Sequence, residues 1–248
     1  SRGVSTGLNG SILPFKYNDV QSFLDLIEKN PDVGSVVFEG ARYDYPTPEF
    51  LETIQEVSLT NKMVVVLDEI TSGWRITDGG VYKTNGFTPD ICVYGKAMGN
   101  GFPISAVVGK NSIMDAAQDT FMSSTFWTER VGFVAGLATL KKLIEERVWE
   151  HLVRIGTEIG EGWLRLAKKH GLRVKITDFK PLISMKFQYE GLNAAIATLF
   201  TQEMLRRHYL AATSVYVSYT HSPKIVADYL AAVDEVFAVI GKAISQRD

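Results

Sequence analysis

Hydrophobic residues follow two different patterns along the first 110 positions of the chain. In residues 18–29 they lie at helical spacing, which predicts an amphipathic helix with Asn18 as its N-cap. Residues 48–58 have a similar pattern and are predicted to form a second helix. Around these helices the apolar residues form short continuous runs rich in valine and isoleucine, at residues 33–40, 63–69, 91–96 and 104–110.

Short β-branched runs of this kind are typical of strands that are buried in the middle of a layered fold. Helices or short turns separate them, and this order is typical of an α/β architecture. We therefore predict a mostly parallel sheet with helices on both faces for residues 1–150.

The pattern changes from about residue 130 onward. A long helical stretch comes first, and short strand-like runs and a helix over residues 192–208 follow it. Ser222 and Pro223 form a typical N-cap and first-turn pair for a closing helix. We predict a small α+β domain for residues 151–248, with a boundary near residue 150.

Composition narrows the classes of partner. The 248 residues include 26 Lys and Arg against 28 Asp and Glu, a formal net charge of −2 with both signs interspersed, so no basic surface for nucleic acid is expected. No run of about 18 apolar residues occurs, so we expect no membrane span. The single cysteine, Cys92, excludes a disulfide framework and favours a reducing, cytoplasmic location. Small molecules and other proteins therefore remain as the expected classes of partner.

Several common site motifs are missing from the sequence. Neither a phosphate loop of the G-x-x-x-x-G-K-[ST] type nor a G-x-G-x-x-G motif occurs, so a nucleotide site is not supported. A nucleophile elbow of the G-x-S-x-G type is also missing. The four histidines are scattered and no cysteine cluster accompanies them, so we expect no metal.

Two predicted strand ends carry residues of a covalent cofactor site. Asp68 ends one apolar run and Lys96 ends the next, 28 residues later. In a parallel α/β sheet such carboxyl ends line the ligand crevice. Pyridoxal phosphate needs a carboxylate beside its ring nitrogen and a lysine for its aldehyde, so the pair fits this cofactor. Each residue also has a structural interpretation, the lysine as a solvated side chain and the carboxylate as a surface or capping group.

Three arginines are candidates for binding a substrate carboxylate through both of its oxygens. They are Arg42, Arg75 and Arg130. From the sequence alone, a structural salt bridge is the favoured interpretation for each of them.

The segment VVVLDEITSGWRITDGGVYKTNGFTPDICVYGKAMGNGFPISAVVGK resembles the class-III pyridoxal-phosphate-dependent aminotransferases of fold type I. It contains that family's Asp-Glu-(Val/Ile)-x-x-Gly motif, then Pro-Asp-x-x-x-x-Gly-Lys and a glycine-rich turn. Within the family, SGWRITDGG and GNGFPISAVVG are most similar to the glutamate-1-semialdehyde aminomutase branch. The resemblance implies part of the large cofactor-binding domain followed by a small C-terminal α+β domain.

The resemblance also implies roles for individual residues. Lys96 would form the Schiff base with pyridoxal phosphate, Asp68 would contact the ring nitrogen, and Ile70 would pack on the ring. Thr125 would reach the cofactor phosphate of a neighbouring subunit, which implies a homodimer with shared active sites. Glu39 and Arg42 are substrate candidates, although Gly40 stands where the family usually has a proline after the glutamate.

The resemblance also has a gap, because the family's upstream segment is not recognisable in residues 1–32. That segment supplies phosphate-binding and ring-stacking groups, so we expect little or no activity from the isolated chain, which we interpret as a fragment of a longer enzyme. The implied reaction is amino-group transfer on a small amine or amino acid, by an aminotransferase or an aminomutase. A transaminase of a sugar-like substrate in polysaccharide synthesis is an alternative, and so is a non-catalytic remnant that only dimerises, through residues 112–135.

Overall fold

The structure is a computed structural model that describes residues 5–123, 125 and 128–246. Its first sheet has four strands in the order β1-β2-β3-β4, with the first three parallel and the fourth antiparallel. The strands are β1 (Ser35–Glu39), β2 (Val64–Asp68), β3 (Ile91–Tyr94) and β4 (Ala106–Gly109). This sheet confirms the prediction of a mostly parallel α/β architecture.

Two helices, α1 (Val20–Lys29) and α2 (Pro48–Thr60), supply side chains to the core of the first sheet. The N-cap of α1 is Asp19, whose carboxylate accepts a hydrogen bond from the backbone N–H of Ser22 at 3.0 Å. The prediction of Asn18 as the cap is therefore wrong by one residue. Asn18 has a φ of 61° and its amide group instead bonds the turn before α2, donating to the Tyr45 carbonyl and accepting from the N–H of Thr47.

The two faces of the first sheet differ in burial. On one face Val36 and Phe38 of β1 and Val65 and Leu67 of β2 pack in a common core with side chains of α1 and α2. On the other face Val37 is 58% exposed in the part of the chain that the structure describes. Burial therefore alternates along β1 and β2, although both were predicted as continuous apolar runs.

A second sheet follows in the chain and contains β5 (Val174–Ile176), β6 (Leu182–Phe187) and β7 (Ser214–Tyr216), all antiparallel. Three long helices pack with it around a large apolar core. These helices are α5 (Val148–Lys169), α6 (Asn193–Arg206) and α7 (Pro223–Ser245). Two shorter helices, α3 (Asn111–Met114) and α4 (Val131–Glu145), precede them in the chain. The hydroxyl of Ser222 caps α7 by accepting from the N–H of Ile225 at 3.3 Å, so the predicted start of this helix is confirmed.

A small apolar cluster joins the two sheets. Ala41 and Val81, from loops beside the first sheet, pack with Phe179 and Leu182 at the start of β6. Residue 150 lies in the first turn of α5, a helix that continues without interruption to Lys169. The division into domains near this position stays a prediction.

Candidate active site

Lys96 follows directly on the carboxyl end of β3. The strand ends at Tyr94, Gly95 is extended with a φ of −173°, and Lys96 opens a short 3-10 turn over Lys96–Met98. The φ of Lys96 is 41°, in the left-handed region, where a residue with a side chain carries a conformational cost of about 1–3 kcal/mol. Such strain persists only where the surrounding structure enforces it, and it concentrates at functional sites.

Asp68 lies at the carboxyl end of the neighbouring strand. It is the last residue of β2 and is paired in register with Val93 of β3, so its strand end lies beside the one that carries Lys96. The Asp68 oxygen Oδ1 accepts a hydrogen bond from the backbone N–H of Ile70 at 2.9 Å, and among the described residues no hydrogen bond reaches Oδ2. Ile70 itself packs against Gly95, the residue before the lysine. The predicted residues Asp68, Ile70 and Lys96 thus come together at one edge of the sheet.

Thr71 connects two cationic side chains in the loop after β2. Its hydroxyl accepts a hydrogen bond from the amine Nζ of Lys96 at 3.1 Å, and its backbone carbonyl accepts one from Nε of Arg75 at 2.7 Å. Thr71 is only 4% exposed, so its position is fixed by packing. The Lys96 amine and the Arg75 guanidinium are therefore both held by one buried residue, the first by its hydroxyl and the second by its carbonyl.

A cavity of about 690 Å³ opens beside Lys96 and Arg75, between the glycine-rich turn, the helices α4 and α5 and the end of β7. Seven described non-glycine residues have a positive φ, and three of them line this cavity, namely Trp74, Lys96 and Asn100. Asp68 and Ile70 do not line it. Of these three strained residues, Lys96 also lies at the sheet edge, so it belongs both to the cavity and to the edge that carries Asp68.

The class-III aminotransferase family matches residues 18–202 of the chain. This chain belongs to that family. A 3-aminobutyryl-CoA aminotransferase of Cloacimonas acidaminovorans is 30% identical over 98% of this chain and 61% of the relative. A glutamate-1-semialdehyde 2,1-aminomutase of Akkermansia muciniphila is 31% identical over 69% of this chain and 42% of the relative. The predicted family is therefore confirmed.

A solved structure of the same fold is the FumI protein of Sphingopyxis sp. MTA144 in its PLP internal aldimine form. It matches with a TM-score of 0.92 at 24% sequence identity, over 98% of this chain and 61% of that one. The predicted fold type is confirmed by this match. The chain spans at most about three fifths of the length of these proteins.

Glu69 is a buried carboxylate that the sequence did not single out for a role of its own. It is 0% exposed and accepts a hydrogen bond from the Ser72 hydroxyl, while its oxygen Oε1 has no partner among the described residues. Burial raises its pKa to about 7, against the opposing effect of the Ser72 bond. A Cβ added at Gly40 or Gly80 would lie 2.7 or 2.8 Å from Oε1. In the sequence, the available signal of this buried carboxyl group was Gly40, which stands after Glu39 where the family usually has a proline.

The two substrate candidates from the sequence, Glu39 and Arg42, bind one another. Arg42 Nη1 donates to Glu39 Oε1 at 3.2 Å, and the glutamate is the main cause that raises the pKa of Arg42. Both residues line a separate cavity of about 540 Å³ beside Val37 and Tyr43. The structure does not bring them into the cavity that Lys96 lines.

Thr125 is exposed in a turn. Its neighbours Ser124, Phe126 and Trp127 lie outside the described residues, so its predicted contact with a cofactor phosphate stays a prediction.

The described ranges contain neither a membrane-spanning helix nor a metal-binding cluster. In residues 5–123, 125 and 128–246, no helix combines the length and the apolar character that a bilayer crossing requires. The same residues contain no cluster of three or more His, Cys, Asp and Glu side chains arranged to hold a metal ion.

Proposed function

We propose that the protein carries out amino-group transfer with pyridoxal phosphate, on a small amine or amino acid. The observation that carries this proposal is the position of Lys96 and Asp68 at the carboxyl ends of two neighbouring parallel strands. Two of the relatives support it, because one is named an aminotransferase and the other an aminomutase. Both names describe the movement of an amino group.

The side chains at this edge fit the cofactor. Pyridoxal phosphate needs an amine that can reach its aldehyde and an anion beside its ring nitrogen, and when bound it supplies an electron sink for the substrate carbon. Among the described residues, the amine of Lys96 makes a single side-chain hydrogen bond, to the hydroxyl of Thr71. Asp68 has one oxygen fixed by the N–H of Ile70, which leaves Oδ2 as the acceptor for the protonated ring nitrogen.

Each residue then has a distinct task. With the cofactor bound, the Nζ atom of Lys96 would accept the proton from the substrate carbon and deliver it to the cofactor's C4' carbon, as general base and then general acid. Thr71 orients this amine through its hydroxyl, at 3.1 Å. Asp68 contributes a fixed negative charge that keeps the ring nitrogen protonated, and Ile70 supports the ring from the same loop.

The two reaction types in the family differ in the fate of the keto product. An aminotransferase releases a keto product, whereas an aminomutase returns the amine to the same carbon skeleton. A product analysis with an amino donor that is isotopically labelled in its amino group separates the two. In an aminomutase product the label stays on the donor's own carbon chain, whereas an aminotransferase passes the label to a different molecule.

The test of the proposal is reductive trapping. The protein is mixed with pyridoxal phosphate, reduced with borohydride and mapped by peptide mass spectrometry, and we expect a pyridoxyl group on Lys96. The matched control is Lys110, which also follows a strand of the first sheet but is bonded to Asp90 at 2.7 Å. Lys96→Ala should lose the adduct and Lys110→Ala should keep it. An equal distribution of label over surface lysines, both in this chain and after the family's upstream segment is restored, would refute the proposal and favour the non-catalytic remnant.

We also propose a homodimer in which Thr125 contributes to the partner's cofactor site, as the family resemblance implies. The exposed apolar side chains of Val131, Phe133, Val134 and Leu137 on α4, close in sequence to Thr125, support this proposal. Sedimentation of the protein with and without cofactor tests it. A monomer under both conditions would remove the shared site.

Two further proposals concern the organisation and the compartment of the protein. We propose a cofactor-binding region up to about residue 150 and a smaller region after it, supported by the separate apolar cores of the two sheets. A reducing, cytoplasmic location is proposed from the single buried thiol of Cys92, because one cysteine cannot form a disulfide within the chain.

A further inference from the structure

Arg75 is a half-buried guanidinium that takes part in no ion pair among the described residues. Burial lowers the pKa of its side chain, while Tyr216 acts in the opposite direction. A charge held partly out of water without a counter-ion is costly, and a bound anion would offset that cost. Arg75 thus differs from Arg42, which has its own carboxylate partner in Glu39.

The guanidinium is held in place by two contacts that leave one end of it available. Nε donates to the Thr71 carbonyl at 2.7 Å, and Cζ lies 5.6 Å from the centre of the Tyr216 ring. Neither Nη1 nor Nη2 makes a hydrogen bond within the described part of the chain. The N–H groups at this end are parallel and coplanar, a geometry that matches the two oxygens of a carboxylate.

The cavity in front of Arg75 is positively charged. Arg75, Lys96 and Lys142 line it, and none of the described lining residues is an aspartate or a glutamate. Lys142 is bonded to Glu146 at 2.6 Å and is exposed, so its charge is largely compensated. Arg75 is therefore the cation in this cavity best placed to bind an anion beside the amine of Lys96.

We propose that Arg75 binds the carboxylate of the amine substrate, so that the substrate is an amino acid rather than a neutral amine. The inference rests on the proposed function, because Arg75 would bind the carboxylate end of the same substrate whose amine end reacts at Lys96. Thr71 sets the spacing between the two ends, since it holds both cations through its own hydroxyl and carbonyl. The competing interpretation is that Arg75 only ties the loop after β2 to Tyr216 of β7.

The experiment compares two amines that differ only in the carboxylate, 3-aminobutyrate and 2-aminobutane. Each is added to the protein with pyridoxal phosphate before borohydride reduction, and the measured quantity is the concentration that protects Lys96 from the adduct by half. The variants are Arg75→Gln, Arg75→Lys and, as a control in the same cavity, Lys142→Gln. Thermal unfolding of each variant confirms that it is folded.

In the unchanged protein, 3-aminobutyrate should protect at a concentration about 10-fold to 100-fold lower than 2-aminobutane, the value expected for hydrogen bonds to a charged group. Arg75→Gln should remove this preference without changing protection by 2-aminobutane. Arg75→Lys keeps the charge but loses the paired donors, so it should retain only part of the preference. Lys142→Gln should change the preference by less than about 2-fold, as expected for an exposed and compensated charge.

A second measurement is independent of the cofactor. Calorimetry with 3-hydroxybutyrate and its neutral amide should detect tighter binding of the acid, and Arg75→Gln should abolish the difference. If Lys96 is labelled but both amines protect equally in the unchanged protein, the carboxylate site is wrong while the proposed function stands. If Arg75→Gln weakens protection by both amines equally, Arg75 is a structural clamp. If Lys96 is labelled neither in this chain nor after the upstream segment is restored, the proposed function fails and the role of Arg75 towards an amine substrate fails with it.

Discussion

The four-stranded sheet carries the candidate active site, whereas the three-stranded sheet carries the larger apolar core. Around the second sheet, Trp163, Phe200 and Phe237 are fully buried, and the indole N–H of Trp163 donates to the hydroxyl of Tyr229 at 3.1 Å. Beside the first sheet, Lys96 has a strained backbone and Glu69 is a buried carboxyl group. Two features that cost free energy thus lie near the site, whereas these three buried aromatic side chains lie in the other core.

This difference indicates how the chain divides stability and function. Buried aromatic groups that pack on each other stabilise a core and make no demand on chemistry. Strained residues and partly desolvated charges cost free energy, and they persist where the surrounding fold compensates for them. The two regions should therefore respond differently to comparable substitutions.

The largest stability effect is expected in the second core, from Trp163→Ala. The indole is 0% exposed, so its removal should leave a cavity and lower the free energy of unfolding by about 4 kcal/mol. The control is Leu164→Ala, one residue further along α5 and 40% exposed, with an expected change of about 0.5 kcal/mol. Urea unfolding measures both values. Equal costs at the two positions would mean that this core is not closely packed.

The second effect belongs to the first region and depends on pH. Burial raises the folded-state pKa of Glu69 from 4.5 to about 7, so the folded protein binds this proton more tightly than the unfolded chain does. Stability from this group is therefore present below pH 4.5 and is lost as the pH rises to about 7. The full loss is about 3 kcal/mol, since each pKa unit corresponds to about 1.4 kcal/mol.

Urea unfolding between pH 4.5 and pH 8 gives the free energy of unfolding of the wild-type protein and of Glu69→Gln, whose side chain cannot ionise. The difference between the two profiles measures this loss. The stability of the wild-type protein should fall relative to this variant as the pH rises. Glu52→Gln, on the exposed surface of α2, serves as the control and should follow the wild-type profile. Parallel profiles for the wild type and Glu69→Gln would show that the buried carboxyl group stays charged throughout.

The sequence was sufficient for the order of the elements and for the residues at the strand ends. Continuous apolar runs and helical spacing located β1 to β3, and motif spacing selected Asp68 and Lys96. These features are local, so a linear pattern contains them. The cap of α1 was missed by one residue because Asn18 is used by a tertiary contact with Tyr45 and Thr47, which no local pattern encodes.

The environment of the site depended on contacts between distant segments. Arg42 and Arg75 look alike in the sequence, yet among the described residues only Arg42 forms an ion pair, because Glu39 precedes it by three residues at the end of β1. The burial of Glu69 by Gly40 and Gly80 likewise requires three loops to meet. The sequence named Arg42 and Arg75 as candidates, but it could not determine which of them had a partner, and it gave Glu69 no role of its own.

A third and smaller effect is expected in the glycine-rich turn after Lys96. A Cβ at Gly99 would lie 2.1 Å from the backbone carbonyl oxygen of Phe102, a separation that requires the turn to shift. Gly99→Ala should lower the free energy of unfolding by about 2 kcal/mol and reduce the yield of the Lys96 adduct. Gly34→Ala is the control, since no atom lies within 4 Å of its added Cβ. Unchanged labelling in a destabilised Gly99→Ala protein would separate the turn from the site.

One substitution at two neighbouring positions of β1 provides the sharpest comparison of the two faces of the first sheet. Val36 is 4% exposed and Val37, its neighbour in β1, is 58% exposed. Threonine has nearly the same shape as valine, so the same substitution at both positions tests only the cost of a buried hydroxyl. We expect a loss of about 2 kcal/mol for Val36→Thr and a change within about 0.5 kcal/mol for Val37→Thr.

Urea unfolding at several protein concentrations gives the decisive reading. If Val37→Thr is as costly as Val36→Thr, and its cost grows with concentration, another copy of the chain covers this face in solution. If the cost is the same but independent of concentration, the face is covered within the chain. With the expected small change, the first sheet depends for its stability on one buried face, and its other face remains available to a partner.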